Sequence, residues 1–207
     1  MVKNGAIKIV CLIMVVLLVL STSVSAKTYQ FKSFASNGAI NDAGTLGVDT
    51  INFMTLSMQV LEYNNYYGSG YHLTSSRQDV LNYVGMSGKN YALAVLSHGS
   101  DGYFTMGDGA ITASNISGIW HLVFITACGT YCNDAMARAF KTVGYSHRAS
   151  IGFYDEVTFY DAREFWSVFY SMVGSTTLSA IVNAAKDASY APAVLYGDGS
   201  WNGYAWY

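Results

Sequence analysis

The sequence is poor in proline, cysteine and charge. Its 207 residues include one proline, three cysteines and 12% charged residues, with a formal net charge of −2. So few cysteines exclude a small disulfide-framed scaffold, which needs more of them, in even number and dispersed along the chain. The balance of 11 basic and 13 acidic residues lacks the positive excess that nucleic-acid binding requires, so we expect no nucleic-acid partner. Without linkers or repeats, the chain is predicted to form a single domain.

The amino-terminal segment has the pattern of a secretion signal. Two lysines precede an apolar run over residues 9–20, which is too short to span a bilayer comfortably. The small residues Val24-Ser25-Ala26 follow and fit a cleavage site. We therefore expect residues 1–26 to be removed as a signal peptide, and residues 27–207 to form one secreted, extracellular domain without membrane contact. An uncleaved anchor is the alternative.

Apolar segments alternate with segments of helical periodicity along the rest of the chain. This alternation is typical of an α/β fold, and it predicts a three-layer α/β/α sandwich with a mostly parallel sheet of about six strands. The apolar runs are bounded by glycine and turn residues, as buried strands of a parallel sheet are. The principal predicted strands cover residues 28–34, 91–97, 122–127, 149–153 and 193–196, and the principal predicted helices cover residues 43–63, 133–143, 161–173 and 176–188.

Two apolar runs end in a chemically active residue that is followed by glycine. One run leads to His98-Gly99, and the other leads to Cys128-Gly129. Because ligands bind outside the carboxyl ends of the strands in open α/β sheets, neighbouring strands would bring His98 and Cys128 together at that edge. A histidine that accepts the proton of a cysteine creates a thiolate nucleophile. A helix expected near residue 133 would favour the thiolate further through its positive amino-terminal end.

The glycine after the histidine has a separate expected role. Without a side chain at Gly99, a substrate carbonyl can approach the backbone closely. The N–H groups of Gly99 and Cys128 are therefore the predicted donors to an oxyanion, and losing one such donor typically lowers the rate by about 100- to 1,000-fold. Taken singly, His98 fits an ordinary turn and Cys128 fits a small core residue, but their common position at strand ends favours catalysis.

Further segments after Cys128 add to a sequence pattern that resembles a known family. They are residues 134–140 with Gly144, residues 150–153, the aromatic residues Phe165, Trp166, Phe169 and Tyr170, and residues 195–198. Together with the two apolar runs that end in His98-Gly99 and Cys128-Gly129, they resemble the caspase-like cysteine peptidases, and especially the secreted bacterial members of that clan. The clan includes caspases, legumain, clostripain and gingipains. The resemblance covers roughly residues 41–198. It implies a caspase-like fold and hydrolysis of a peptide or protein substrate through an acyl-enzyme, with no cofactor or metal ion in the chemistry. By the same resemblance, His98 is the catalytic histidine, Cys128 the nucleophile and Gly99 an oxyanion donor.

The expected substrate pocket departs from the pattern of that clan. Several members carry Asp, Glu or Gln two positions before the nucleophile, where it helps to form the pocket for the residue before the cut, and this chain has Thr126. A preference for Arg or Lys, as in apparent bacterial relatives, would need a carboxylate from elsewhere. Asp155, Glu156 and Asp161 are the candidates, and the alternative is that they are solvated loop charges. Cys132 is expected to be a buried thiol, with a redox switch as the alternative.

Two other functions stay open on the sequence alone. A non-catalytic extracellular binding module could keep the fold, although it has no use for His98, Gly99 and Cys128 together. A sortase-like transpeptidase also uses cysteine and histidine, but the helical periodicity speaks against the β-barrel of that class. No metal site is predicted, because no metal-ligand spacing connects the remaining histidines, His72, His121 and His147.

Overall fold

The computed structural model describes residues 29–65, 68, 70–85 and 91–205, so the predicted signal peptide lies outside the described residues. The large sheet contains strands β1 (Gln30–Ser36), β2 (Asn64–Asn65), β3 (His72–Thr74), β4 (Tyr91–Leu96), β8 (Trp120–Thr126), β9 (Ala149–Phe153) and β10 (Ala193–Gly197). A small sheet contains β5 (His98–Ser100), β6 (Tyr103–Met106) and β7 (Gly109–Thr112). The helices are α1 (Asn37–Ala43), α2 (Thr45–Val60), α3 (Arg77–Val84), α4 (Ala135–Ala139), α5 (Phe159–Met172) and α6 (Leu178–Ser189). None of the described helices is long and apolar enough to cross a membrane.

The large sheet is mostly parallel. Its strand order is β10-β9-β8-β4-β1, and β2 and β3 share the outer edge of β1. The pairs are parallel except for β10, which runs antiparallel to β9. Six strand positions therefore cross the sheet, which confirms the prediction from the sequence. Leu96 of β4 pairs with Thr126 of β8, so these two strands end at the same level.

Both faces of the large sheet are buried. Ala94 and Leu96 of β4 belong to one core cluster, whereas Leu93 and Val95 belong to a second cluster on the opposite face. The first cluster is completed by residues of α2, α5 and α6, and the second by residues of α3, α4 and the small sheet. Side chains of a strand alternate between the two faces, so continuous apolar runs result when helices cover both. The architecture is the predicted three-layer α/β/α sandwich.

The helix predicted over residues 43–63 is wrong in its boundaries. The chain forms α1 and α2 instead, and Gly44 separates them with φ of 57°. Ser36, the last residue of β1, caps α1 by accepting a hydrogen bond from the Ala39 N–H at 3.1 Å. The short helix α1 thus begins directly at the carboxyl end of β1. Asp42 lies in its last turn.

Candidate functional site

His98 and Cys128 emerge at the same edge of the large sheet. Each follows a strand by two residues, and those strands, β4 and β8, are neighbours that end in register. Gly99 and Cys128 line one cleft of about 630 Å³. The carboxyl edge of the sheet therefore carries His98, Gly99 and Cys128, and of these three Gly99 and Cys128 are among the residues that line the cleft.

The segment that carries Cys128 is held by backbone hydrogen bonds on both sides. The Gly129 N–H donates to the Asp155 carbonyl at 3.1 Å, and the Gly129 carbonyl accepts from the Gly102 N–H at 3.0 Å. Gly129 has φ of 58°, a conformation that glycine adopts at little cost. These bonds fix Cys128 between the segment after β9 and the turn that joins β5 to β6. A nucleophile needs this kind of fixed backbone, because small displacements of a reacting group lower the rate steeply.

Tyr131 anchors the same segment in the core. Its side chain is fully buried, and an atom added as Cβ at Gly152 of β9 would lie 2.5 Å from the Tyr131 ring. The Tyr131 N–H also donates to the Phe153 carbonyl at 3.0 Å. Burial raises the pKa of the Tyr131 phenol well above its ordinary value, so this ring is an uncharged anchor.

The Cys128 thiol is half-buried and contacts the backbone of Val157. The Val157 N–H points to Cys128 Sγ at 3.4 Å, and Sγ lies 3.5 Å from the Val157 carbonyl oxygen. A backbone N–H favours the thiolate, whereas a carbonyl oxygen accepts a hydrogen bond from the neutral thiol. The Val157 backbone can therefore hydrogen-bond with the sulfur of Cys128 in both of its protonation states.

The helix that follows Cys128 begins too far away to stabilise a thiolate through its dipole, contrary to the expectation from the sequence. The prediction placed a helix start near residue 133, but α4 begins at Ala135, seven residues after Cys128, and has 5 residues. Lys141, with φ of 55°, lies just past its end, and the predicted helix over residues 133–143 is correspondingly too long. The effect of a helix dipole falls off within its first turn. The amino-terminal end of α4 therefore does not act on the Cys128 thiol.

The imidazole of His98 is held by a carboxylate. Its Nε2 lies 2.8 Å from Asp42 Oδ2, and its ring meets the Phe159 ring edge-on with centroids 6.0 Å apart. The side chains of His98 and Asp42 are 47% and 64% exposed. When Nε2–H donates to the carboxylate, Nδ1 is left with the free lone pair, and this assignment follows from the hydrogen bond. The arrangement gives His98 a nitrogen that can accept a proton.

Asp42 is a candidate site residue that the sequence analysis did not identify. It lies at the end of α1, the helix that follows β1 directly. β1 neighbours β4 in the sheet, so the end of β1 opens onto the same edge as His98. The rule that predicted His98 and Cys128 also applies to β1, and it would have identified Asp42.

Gly99 is positioned by a tight hairpin. Asp101 and Gly102, with φ of 35° and 85°, form the two-residue turn, and Ser100 pairs with Tyr103 across it. Pairs in an antiparallel ladder alternate between hydrogen-bonded and non-hydrogen-bonded, and the pair next to a two-residue turn is the hydrogen-bonded one. The Gly99–Phe104 pair is therefore a non-hydrogen-bonded pair, so the Gly99 N–H points away from β6. This N–H is available as an oxyanion donor.

The physical reason for glycine at position 99 differs from the predicted one. A Cβ there would lie 2.7 Å from the Tyr103 carbonyl oxygen and 2.8 Å from both Ala127 Cβ and Thr130 Oγ1. The space beside Gly99 is therefore filled by the protein itself. Glycine lets β5 pack closely against the segment that carries Cys128.

Replacing Gly99 with alanine is expected to lower the free energy of unfolding by about 1–3 kcal/mol, because the added methyl group overpacks a filled site. Urea denaturation followed by tryptophan fluorescence measures the change. Gly70→Ala is the matched control, since a Cβ at Gly70 meets nothing within 4 Å. Equal stabilities of the two variants would contradict the close packing of β5 against the Cys128 segment.

The cleft beside Cys128 carries several carboxylates. Asp155, Glu156 and Asp161 line it, as the sequence analysis predicted for a substrate pocket, and Asp101 joins them. Asp155 and Glu156 are exposed, while Asp161 accepts a hydrogen bond from the Thr158 hydroxyl at 2.7 Å at the start of α5. Among the residues that the structure describes, those lining the cleft include no lysine, arginine or histidine. This cleft therefore favours a positively charged group over a negatively charged one.

Thr126 does not belong to this cleft. Its side chain is buried on the face covered by α5, and its hydroxyl oxygen accepts a hydrogen bond from Trp166 Nε1 at 2.6 Å. The same hydroxyl donates to Met54 Sδ at 3.3 Å. The structure therefore does not bring Thr126 together with the other predicted pocket residues, and its contacts tie β8 to α2 and α5.

Cys132 is exposed, so the expectation of a buried thiol is wrong. It lines the same cleft as Cys128, and the Asn133 side-chain amide lies 3.5 Å from its sulfur. Between Cys128 and α4 the chain forms an open turn, in which the Cys132 N–H donates to the Gly129 carbonyl at 3.0 Å. Cys132 is consequently accessible to reagents that also reach Cys128.

A scan of the chain against protein-family models gave no match, and a search among curated proteins gave none either. Within residues 29–65, 68, 70–85 and 91–205, no group of three or more His, Cys, Asp or Glu side chains is arranged to hold a metal ion.

Proposed function

We propose that the protein is a secreted, caspase-like cysteine endopeptidase in which Cys128 is the nucleophile and His98 the general base and acid. The observation that carries the proposal is one sheet edge with three complementary groups: a thiol in a cleft wall, a histidine held by Asp42, and the Gly99 N–H. The resemblance of the sequences around His98 and Cys128 to those of the caspase-like clan supports the same function. Residues 27–207 form the catalytic domain in this proposal.

The first half of the reaction forms a thioester. His98 Nδ1 accepts the thiol proton, and the Cys128 thiolate attacks the carbonyl carbon of the scissile peptide bond. Negative charge develops on the carbonyl oxygen, where the N–H groups of Gly99 and Cys128 stabilise it. The carbon–nitrogen bond then breaks, and the imidazolium of His98 gives its proton to the departing amine. Asp42 keeps the ring in one tautomer and stabilises the imidazolium while it exists.

The second half releases the acyl group. Water enters beside the thioester, and neutral His98 accepts a proton from it as the water oxygen attacks the carbonyl carbon. The carbon–sulfur bond breaks, the new carboxylic acid leaves, and Cys128 regains its proton. Each proton moves through the same imidazole, so the protein's own side chains account for the whole cycle.

The contacts of Val157 fit this cycle. The thiol of Cys128 contacts the Val157 backbone. A rotation about the Cα–Cβ bond of Cys128 would release the sulfur towards a substrate carbonyl. Because those two contacts are long, their loss is a small barrier compared with the chemical step.

A non-catalytic binding module is the second candidate. One observation favours it: the hydrogen-bonding partner of Cys128 is Val157, whereas that of His98 is Asp42. The sortase-like alternative requires a β-barrel, and the observed fold is an α/β sandwich. Peptide hydrolysis by the purified protein distinguishes the remaining two candidates.

The test uses a fluorogenic peptide library that varies the residue before the cut, with and without calcium and reductant. We expect cleavage by the wild-type protein and none by Cys128→Ala. Equal background signals from both proteins under every condition would overturn the peptidase proposal and favour the binding module.

The carboxylates of the cleft support a preference for Arg or Lys before the cut. We expect the double variant Asp155→Asn/Glu156→Gln to lower kcat/KM for an arginine peptide by about 10-fold, because these exposed charges each contribute on the order of 1 kcal/mol or less. The same peptide with citrulline, which has a similar shape without the charge, is the matched substrate. Asp187→Asn, which removes an exposed carboxylate outside the cleft, is the control variant. Equal losses for both peptides would contradict charge recognition by this pair.

A further inference from the structure

The wall of the cleft contains an apolar surface that the catalytic steps do not use. Tyr154, Tyr190 and Pro192 line the same cleft as Cys128, and we call them the tyrosine wall. Tyr154 is 48% exposed, and Tyr190 is 90% exposed. Large exposed aromatic groups in a cleft commonly contact a ligand, since burial of their surface on binding is favourable.

The fold gives no reason for tyrosine at position 190. Its side chain buries almost nothing, and its backbone caps α6 in the left-handed conformation with φ of 59°. Glycine or asparagine adopts this conformation at lower cost, and glycine is the usual residue at such a helix end. A tyrosine here therefore carries backbone strain without a compensating core contact. Strain of this kind is concentrated at functional sites.

The backbone of the tyrosine wall is fixed. The Tyr190 N–H donates to the Lys186 carbonyl at 2.8 Å, and the Ser189 hydroxyl accepts from the Ala191 N–H at 3.2 Å. The Pro192 carbonyl accepts from the Tyr154 N–H at 3.0 Å, which joins the two parts of the wall. A preorganised surface of this kind binds a ligand without a large loss of conformational entropy.

We infer that Tyr190 is a specificity-determining residue, and that the tyrosine wall binds an aromatic side chain of the substrate close to the residue at the cut. This inference rests on the proposed binding of peptides in the Cys128 cleft. The carboxylates of the cleft favour a charged group and its tyrosines favour an apolar one, so they select two different side chains of one peptide. The substrate class is therefore a peptide with a basic residue and an aromatic residue within a few positions of each other.

The test measures binding in the Cys128→Ala protein, so that it does not depend on catalysis. The probes are acetylated and amidated octapeptides of glycine and serine with arginine at the fifth position. One series carries phenylalanine at each of positions 2, 3, 4, 6 and 7 in turn, and a matched series carries alanine there. In at least one position, phenylalanine is expected to lower Kd by about 2- to 12-fold relative to alanine, the range for one aromatic pair.

The decisive comparison adds Tyr190→Gly to the same protein. The advantage of phenylalanine over alanine should disappear, while the Kd of the alanine peptide should change by less than about twofold. Thermal stability should be equal or higher, because glycine relieves the left-handed strain. Tyr145→Ala, which removes a half-exposed tyrosine outside the cleft, should leave the advantage intact.

Three results would overturn the inference: equal Kd values for both series at every position, equal losses for both series in Tyr190→Gly, or a lower stability of that variant. The proposed function fails separately. If the wild-type protein binds the phenylalanine peptides through Tyr190 but hydrolyses none of them, the subsite stands and the peptidase does not.

Discussion

Replacing Cys128 with alanine is expected to lower peptide hydrolysis by about 1,000-fold or more, because alanine lacks the thiol that forms the thioester in the proposed reaction. The side chain is only half-buried, so the fold should tolerate the change. The measurement is kcat/KM for the best peptide of the library, with circular dichroism to verify the fold.

The matched control for this experiment is Cys132→Ser. Cys132 lies in the same cleft and is more exposed than Cys128, but it lies six residues beyond the end of β8, whereas Cys128 lies two residues beyond it. We expect this variant to keep its activity within about threefold of the wild type. An active Cys128→Ala protein, or an inactive Cys132→Ser protein, would show that Cys128 is not the nucleophile.

The second large effect is expected at Asp42, which acts through His98. Asparagine at this position keeps the shape of the side chain but loses the negative charge that orients and stabilises the imidazolium. We expect kcat to fall by roughly 10- to 100-fold with little change in KM. Replacing a buried carboxylate in a serine protease triad lowers kcat by about 10,000-fold. The smaller effect expected here follows from the exposure of Asp42, 64% for its side chain, which lets water screen the charge.

A double-variant cycle separates this positioning role from a general structural one. In the His98→Ala background, Asp42→Asn should cause no further loss, because the group through which it acts is already absent. Asp187→Asn, an exposed carboxylate on α6, should change neither kcat nor KM. Additive losses from His98→Ala and Asp42→Asn would contradict the hydrogen bond as the source of the effect.

The sheet was predictable because its strands are buried on both faces. The continuous apolar runs at residues 91–97 and 149–153 correspond to β4 and β9. Strands of this kind end where the apolar run ends, so the residues just beyond them could be identified without a structure. This is the reason that His98 and Cys128 were predicted at one edge.

The parts that failed depend on contacts between distant residues. Thr126 was a predicted pocket residue, but its buried hydroxyl accepts a hydrogen bond from Trp166, which lies 40 positions later in the chain. Cys132 looked buried because the helix after Cys128 was expected to begin earlier than α4 does. The partner of His98 is 56 positions earlier in the chain, on a helix that local patterns had merged with its neighbour. The contact between Thr126 and Trp166 has no signature in the residues next to either of them, whereas the position of Asp42 could have been inferred from the end of β1.

Covalent trapping of the acyl-enzyme site tests the central claim most directly. Peptidyl acyloxymethyl ketones that differ in the side chain next to the reactive group would be incubated with the Cys132→Ser protein, which removes the competing exposed thiol. Intact-mass and peptide mass spectrometry then identify the modified residue. The account predicts one adduct per molecule, on Cys128, that forms at least about tenfold more slowly in His98→Ala. No adduct with any of the reagents, or an adduct that forms equally fast without His98, would contradict a catalytic Cys128–His98 pair.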